Sequence, residues 1–235
     1  MSNFESIQLS DAGLNLQAAF NIADLPDHVT KTLGTHCEDF GAFHQLLLVA
    51  HGGRAMWEAV SNTGFTTDNP IDEHAVNAVG QYFETEHPDS NYEIVYPGNF
   101  PIGLRDLGDL AGWHHDSPFR VGIHADWGTW FAYRAFILTD TNFTPTVATP
   151  TISPCDECID KPCISICPAK AVAEEALDLE RCLDHRLLEK SSCVDTCLSR
   201  LACPVGAEHR YTKDQVNYHY GRSMKVIREL RRPRS

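Results

Sequence analysis

Residues 155–204 read CDECIDKPCISICPAKAVAEEALDLERCLDHRLLEKSSCVDTCLSRLACP and hold eight of the nine cysteines in the chain. The first half runs C-x2-C-x4-C-x3-C-P through Cys155, Cys158, Cys163 and Cys167. The second half runs C-x10-C-x3-C-x5-C-P through Cys182, Cys193, Cys197 and Cys203. Each half closes on Cys-Pro, at Pro168 and Pro204. Proline after the last cysteine ends the loop and sets the turn into the next element.

Spacing of this kind is that of a bacterial iron–sulfur run, C-x2-C-x2-C-x3-C-P, in which the fourth cysteine ligates the other cluster. Here the second gap is two residues longer and the second half is stretched. The crossed logic still applies: three close cysteines wrap one cube, and the distant Cys-Pro of the other half closes it. Iron is satisfied by thiolate, and a [4Fe-4S] cube takes four. The long gaps cost only loop-closure entropy, which grows slowly with length. Two [4Fe-4S] clusters are therefore expected. Zinc is the competing ligand, but two zinc sites normally show paired C-x2-C knuckles, and only Cys155 and Cys158 make one. A disulfide scaffold is the third reading. Against it, the N-terminus MSNFESIQLSDAG lacks a targeting pattern, and Cys37 is the single cysteine elsewhere.

The chain has 235 residues, 43% of them hydrophobic, enough for one large domain or for one medium domain with a small appendage. Residues 1–150 carry nineteen acidic and five basic side chains, whereas residues 151–235 carry thirteen and fourteen. The change falls at Thr149-Pro150-Thr151-Ile152-Ser153-Pro154, so the expected domains are 1–150 and 151–235. An acidic first domain argues against nucleic acid as a partner. No apolar run approaches a membrane span, and a cytoplasmic location is expected. All four tryptophans precede the boundary, so the second domain is expected to depend on its metals rather than on a large aromatic core.

Along the first 150 residues, Leu14, Leu16, Ala18 and Phe20 alternate as a strand, and Val29, Leu33 and Cys37 share a helix face. Leu46 to Ala50 is a continuous apolar run, predicting a central buried strand. Met56, Trp57 and Val60, and then Ile71, Ala75, Val79 and Phe83, predict two helices. Tyr92, Ile94 and Tyr96 alternate as a strand, and Leu104 to Ala111 is a short amphipathic helix. Residues 113–140, WHHDSPFRVGIHADWGTWFAYRAFILTD, predict a hairpin from Val121 and Ile123 to Trp130–Leu138, turning at Asp126-Trp127-Gly128. His114, His115, His124, Trp127, Trp130 and Arg134 in this segment are the candidate lining of a planar-cofactor pocket, with Arg134 suited to an anionic group. The plainer reading is an edge of mixed polar residues. Val216 to Leu230 predicts a helix leading into the basic tail Arg231-Arg232-Pro233-Arg234.

The cysteine segment resembles the iron–sulfur part of epoxyqueuosine reductases, in which an isolated cysteine serves the second cluster; Cys182 in Glu-Arg-Cys-Leu matches it. The first domain resembles the nitroreductase-like domain of those enzymes, of the human cobalamin-processing protein of B12 disease type C, and of corrinoid reductive dehalogenases. The residues that carry this likeness are Asp109-Leu110-Ala111-Gly112-Trp113, Gly128-Thr129-Trp130-Phe131-Ala132-Tyr133-Arg134 and Leu138-Thr139-Asp140. The resemblance implies an α+β protein, a nitroreductase-like sheet-and-helix domain followed by a small ferredoxin-like domain. It implies Cys155, Cys158, Cys163 and Cys203 for one cluster and Cys167, Cys182, Cys193 and Cys197 for the other. It further implies an oxidoreductase in which an electron donor protein feeds the clusters, and these reduce a cobalamin, or else an FMN, in the first domain. The end effect would be reduction of cobalt or of a small-molecule substrate. A non-catalytic electron carrier or maturation partner is the alternative. Epoxyqueuosine reductases carry a proton-donor aspartate in an Asp-Ser-Ala-Pro segment. Here that stretch is Tyr96-Pro97-Gly98-Asn99-Phe100-Pro101-Ile102, without the acid. The transfer-RNA-holding C-terminal repeats of that family have no counterpart in this sequence.

Overall fold

The computed structural model describes residues 2–37, 39–64, 67–98, 103–149, 151–174 and 176–231. The segments Asn99–Ile102, where the proton-donor aspartate is lacking, and Arg232–Arg234 of the basic tail lie outside the described residues. The fold is α+β, and it divides into two units. The first consists of residues 1–113 and 131–150, the second of residues 114–130 and 151–235.

In the first unit, α1 (Ile7–Asp11) precedes β1 (Leu16–Asn21), α2 (Asp27–His36), β2 (Gln45–Gly52) and α3 (Ala55–Thr63). Then come α4 (Pro70–Glu86), β3 (Tyr92–Tyr96), α5 (Leu104–Leu110) and β4 (Phe131–Thr139). The strands form one antiparallel sheet in the order β1-β2-β4-β3. The apolar run at residues 46–50 is the middle of β2, and every residue of that strand is buried. Leu46, Leu47, Leu48 and Val49 are fully inaccessible, and burial of each contributes about 1.5–3 kcal/mol. Pro70 opens α4 at a position where its missing N–H costs nothing. The buried face of that helix is Ile71, Ala75, Ala78, Val79, Tyr82 and Phe83. Phe83 stacks on Tyr92 of the edge strand β3 at 4.0 Å between ring centres. Val29 and Leu33 are buried in α2 as the periodicity predicts, and Cys37 is the buried residue that caps its C-terminus.

The second unit holds α6 (Pro154–Glu157), α7 (Pro162–Ser165), α8 (Leu179–Leu187), α9 (Leu198–Ala202) and α10 (Lys213–Leu230). The Thr212 hydroxyl caps α10 by accepting from the Gln215 N–H.

Two expectations are corrected here. Residues 121–138 do not form a hairpin: β4 pairs with β2 and β3, while the preceding segment makes only isolated bridges, His115 to Ile123 and His124 to Gly128. Nor do residues 1–150 form one body, because 114–130 belong with the cysteine segment. The physical reason is packing. Trp130 is fully buried in a cluster with Tyr211 and Val216, and Phe119 in another with Cys163 and Val172. The second unit therefore contains two of the tryptophans and an aromatic core of its own.

Candidate metal centre

Short helices set the eight thiols. The Ser153 hydroxyl accepts from the Cys155 N–H and starts α6, which carries Cys155; Cys158 follows at its end in extended backbone. Lys161, left-handed at φ +38°, turns the chain into α7 behind Pro162. Cys163 lies in α7 and Cys167 just beyond it. Cys197 caps the N-terminus of α9 and Cys203 its C-terminus, both in extended backbone. Cys182 projects from α8, and the Cys193 N–H donates to the Ser191 hydroxyl.

These helices sort the thiols into two sets. Cys155, Cys158, Cys163 and Cys203 line one cavity. Cys167, Cys182, Cys193 and Cys197 line a second. Helix α7 gives Cys163 to the first set and is followed by Cys167 for the second. Helix α9 leads from Cys197 in the second to Cys203 in the first. The crossing thus comes from two short helices with a cysteine for each cavity near their ends.

Electrostatics follow the same sorting. Burial, then the neighbouring Cys203, Cys163 and Cys158, push the Cys155 thiol up to about 11. Cys163 is raised by burial, then by Cys203 and Cys158. Cys182 is raised by burial, then by Cys197, against the lowering influence of Arg186. Cys193 is raised by burial first, with Cys197 and Cys167 adding to it. Every cysteine named among these causes belongs to the same set. Four partly buried thiols around one cavity repel as thiolates, and a cationic group relieves that while displacing their protons. Among the described residues no group of three or more His, Cys, Asp or Glu side chains is placed to hold a single metal ion. Two rings of four thiols, each around a cavity, fit the donor set of a polynuclear iron–sulfur group.

Residues 114–130 complete this unit. Phe119 lines both cavities. His115 Nε2 lies 2.9 Å from the Thr151 hydroxyl. His124 is buried, and burial lowers its pKa toward the neutral imidazole, whose Nδ1 accepts from the N–H groups of Asp126 and Trp127. His114 faces Asp116 at 3.7 Å. Trp127 packs on His209 at 4.2 Å between ring centres. Arg200 lies 4.6 Å over the Trp130 ring and donates to the Thr129 carbonyl. Five of the six candidate pocket residues are thus engaged within the second unit. Arg134 stays in the first unit, where it donates to His51 at 2.9 Å and faces Asp72 at 3.9 Å. His114, His115, His124, Trp127 and Trp130 thus belong to the second unit and Arg134 to the first.

Sequence reading did not single out Phe119, His185, Arg186, Thr196 and Tyr220. For two of these a signal existed: His185 and Arg186 stand three and four residues after Cys182, on the same helix face. The others lie far in sequence from the cysteines they serve or carry no spacing that marks them.

No family model matches the chain. Over 94 residues it is 29% identical to the putative electron transport protein YsaA of Escherichia coli strain K12, a match covering 40% of this chain and 50% of that protein. It therefore spans about half the length of that curated relative. The fold is similar to that of epoxyqueuosine reductase from Bacillus subtilis, with a TM-score of 0.51 and 14% identity over 88% of this chain and 66% of the other. It is also similar to CblC, a B12-trafficking protein of C. elegans, with a TM-score of 0.50 and 11% identity over 97% of this chain and 94% of the other. At these identities the structural likeness is one of fold.

Proposed function

We propose that the chain is a two-cluster iron–sulfur redox protein. Cys155, Cys158, Cys163 and Cys203 would hold one [4Fe-4S] cluster, and Cys167, Cys182, Cys193 and Cys197 the other. The observation that carries this reading is the sorting of eight thiols into two sets of four, each around its own cavity. The likeness to a putative electron transport protein supports it. When bound, such clusters supply one-electron transfer. The chain's own residues exclude water and fix the ligands. Phe119 fills the space that both cavities share as lining, and Arg200 clamps Trp130 against the ligand-bearing helix α9. An electron donor protein is the implied partner. Substituting Cys203 or Cys193 by serine in anaerobically purified protein tests the assignment. Each change is expected to abolish a different electron paramagnetic resonance signal, whereas loss of the same signal in both would contradict the two sets.

A second reading makes the chain an oxidoreductase, with a corrinoid held by the first unit as electron acceptor. It is supported by the fold shared with a B12-trafficking protein over nearly the whole of both chains. Titration with hydroxocobalamin, and separately with FMN, followed in the visible, distinguishes the acceptors. A shift with hydroxocobalamin alone supports the corrinoid. Binding of neither leaves the protein an electron carrier without substrate turnover.

A further inference from the structure

The two cavities differ in what lines them besides cysteine. Around the first the side chains are apolar, Phe119, Ile123, Val205 and four prolines, with Lys161 the single charge; Lys161 itself faces Glu174 at 3.7 Å. The second adds His185, Arg186, Thr196, Ser199 and Tyr220. Arg186 is only 8% exposed. It donates to the Cys193 carbonyl at 3.1 Å, the Ser223 hydroxyl at 2.9 Å and the Tyr220 carbonyl at 3.2 Å. Its guanidinium lies 5.2 Å over the Tyr220 ring. All of these partners are neutral, and among the described residues no carboxylate lies within ion-pair distance of it. A buried cation with neutral partners is costly unless an anion stands nearby. His185 Nε2 and Thr196 Oγ1, both on side chains that line this cavity, are buried and find no partner in the protein. Both atoms are therefore available to hydrogen-bond with a group held in this cavity. The Tyr220 side chain lines this cavity together with Cys197, and its hydroxyl feels both the Cys197 thiol and Arg200.

The first set has neighbours of opposite charge, Asp156 beside Cys155 and Arg210 beside Cys203, and the Arg210 Nε is likewise buried without a hydrogen-bond partner. Exposure does not separate the sites, since each combines half-buried and buried thiols. Charge and hydrogen bonding do. An electron added to an iron–sulfur group adds negative charge, and nearby cations and donors to its sulfurs stabilise that state. Low local dielectric strengthens the effect.

We propose that Arg186, His185, Thr196 and Tyr220 are positioning residues that give the group held by Cys167, Cys182, Cys193 and Cys197 the higher reduction potential of the two. A single electron shared between the sites then resides at the second. The inference rests on the two-cluster reading above.

The test is a potentiometric titration of the anaerobically purified full chain with dithionite, followed by electron paramagnetic resonance, with iron counted in each sample. Wild type is expected to show two midpoints separated by at least tenfold in reduction constant, about 59 mV for one electron. Tyr220→Phe and Thr196→Val each remove one hydroxyl and keep the shape of the side chain. Both are expected to lower the higher midpoint, leave the lower one in place and retain iron. Arg186→Met is expected to lower the higher midpoint further, and Arg186→Lys to restore most of it. Arg186 also ties α8 to α10, so if Arg186→Met sheds iron the two hydroxyl variants decide. The proposal is overturned if the midpoints coincide, if the lower one moves, or if neither moves with iron retained. Loss of iron in every variant also overturns it, because a purely structural role accounts for that. Wild type holding fewer than two clusters fails the underlying reading first.

Discussion

Gly128→Ala attacks the point where residues 114–130 rest on the loop after Cys203. A Cβ at Gly128 would stand 2.0 Å from the Val205 carbonyl oxygen, and ordinary contact begins at 3.4 Å. The 203–206 backbone would have to retreat by about 1.4 Å (3.4 − 2.0). The contact is reciprocal, since a Cβ at Gly206 would meet the Trp127 backbone at 2.5 Å. Gly128 also sits at φ +57°, a conformation that costs an L-residue about 1–2 kcal/mol. Overpacking adds about 1–3 kcal/mol, so the penalty is about 2–5 kcal/mol in all. It falls two residues from Cys203, the thiol that closes the first set. The expected outcome is selective: iron per chain drops to about half, the signal of the first cluster is lost, and that of the second persists. Iron analysis with electron paramagnetic resonance on anaerobic protein reads both. Gly41→Ala is the control, because nothing lies within 4 Å of its Cβ position, and it is expected to change stability by less than about 0.5 kcal/mol. Full iron with both signals and an unchanged melting temperature in Gly128→Ala would refute the reasoning.

Three further outcomes follow from the same geometry. Cys182→Ala is expected to deplete the second cluster and spare the first, since Cys182 is grouped with Cys167, Cys193 and Cys197; two unchanged signals with full iron would count against it. Trp130→Ala removes a fully buried indole held between Arg200 and Tyr211, and is expected to cost about 3–5 kcal/mol. Thermal bleaching of the visible absorbance, scanned without oxygen, measures it, and an unshifted midpoint contradicts the packing. The Cys37 thiol, buried and facing Glu93 at 2.9 Å, is pushed up to about 11. The fold accommodates the neutral thiol, so this contribution to stability is fully present below pH 9 and is lost as pH rises toward 11. Alkylation of native protein followed by mass spectrometry is expected to spare Cys37 at pH 8, and rapid labelling there would overturn that assignment.

The legible parts of the sequence were those where one side chain's neighbours lie close along the chain or follow a fixed period. The apolar run at Leu46–Ala50 gave β2, and the spacing of Ile71, Ala75, Val79 and Phe83 gave α4. The segment 114–130 alternates as a strand would, but its partners are remote in sequence, so it makes no hairpin. His115 meets Thr151, Trp127 meets His209, and Trp130 meets Arg200 and Tyr211. Histidines and tryptophans so clustered suggest a cofactor pocket, and three of them, His115, Trp127 and Trp130, also make contacts to the cysteine-bearing segment 151–235. The charge contrast on either side of residue 150 also hid a discontinuous unit, since a linear cut cannot show a segment donated from upstream. Arg186 was within reach of sequence reasoning through its spacing from Cys182, whereas Tyr220 was not: it joins the lining beside Cys197 only because α10 packs against α8.

The central claim is that eight thiols hold two four-iron groups, and chemical analysis of anaerobically purified wild-type protein tests it most directly. The account expects about eight irons and about eight acid-labile sulfides per chain, with two reducible signals after dithionite. About four irons, or stoichiometric zinc with no sulfide, would contradict it.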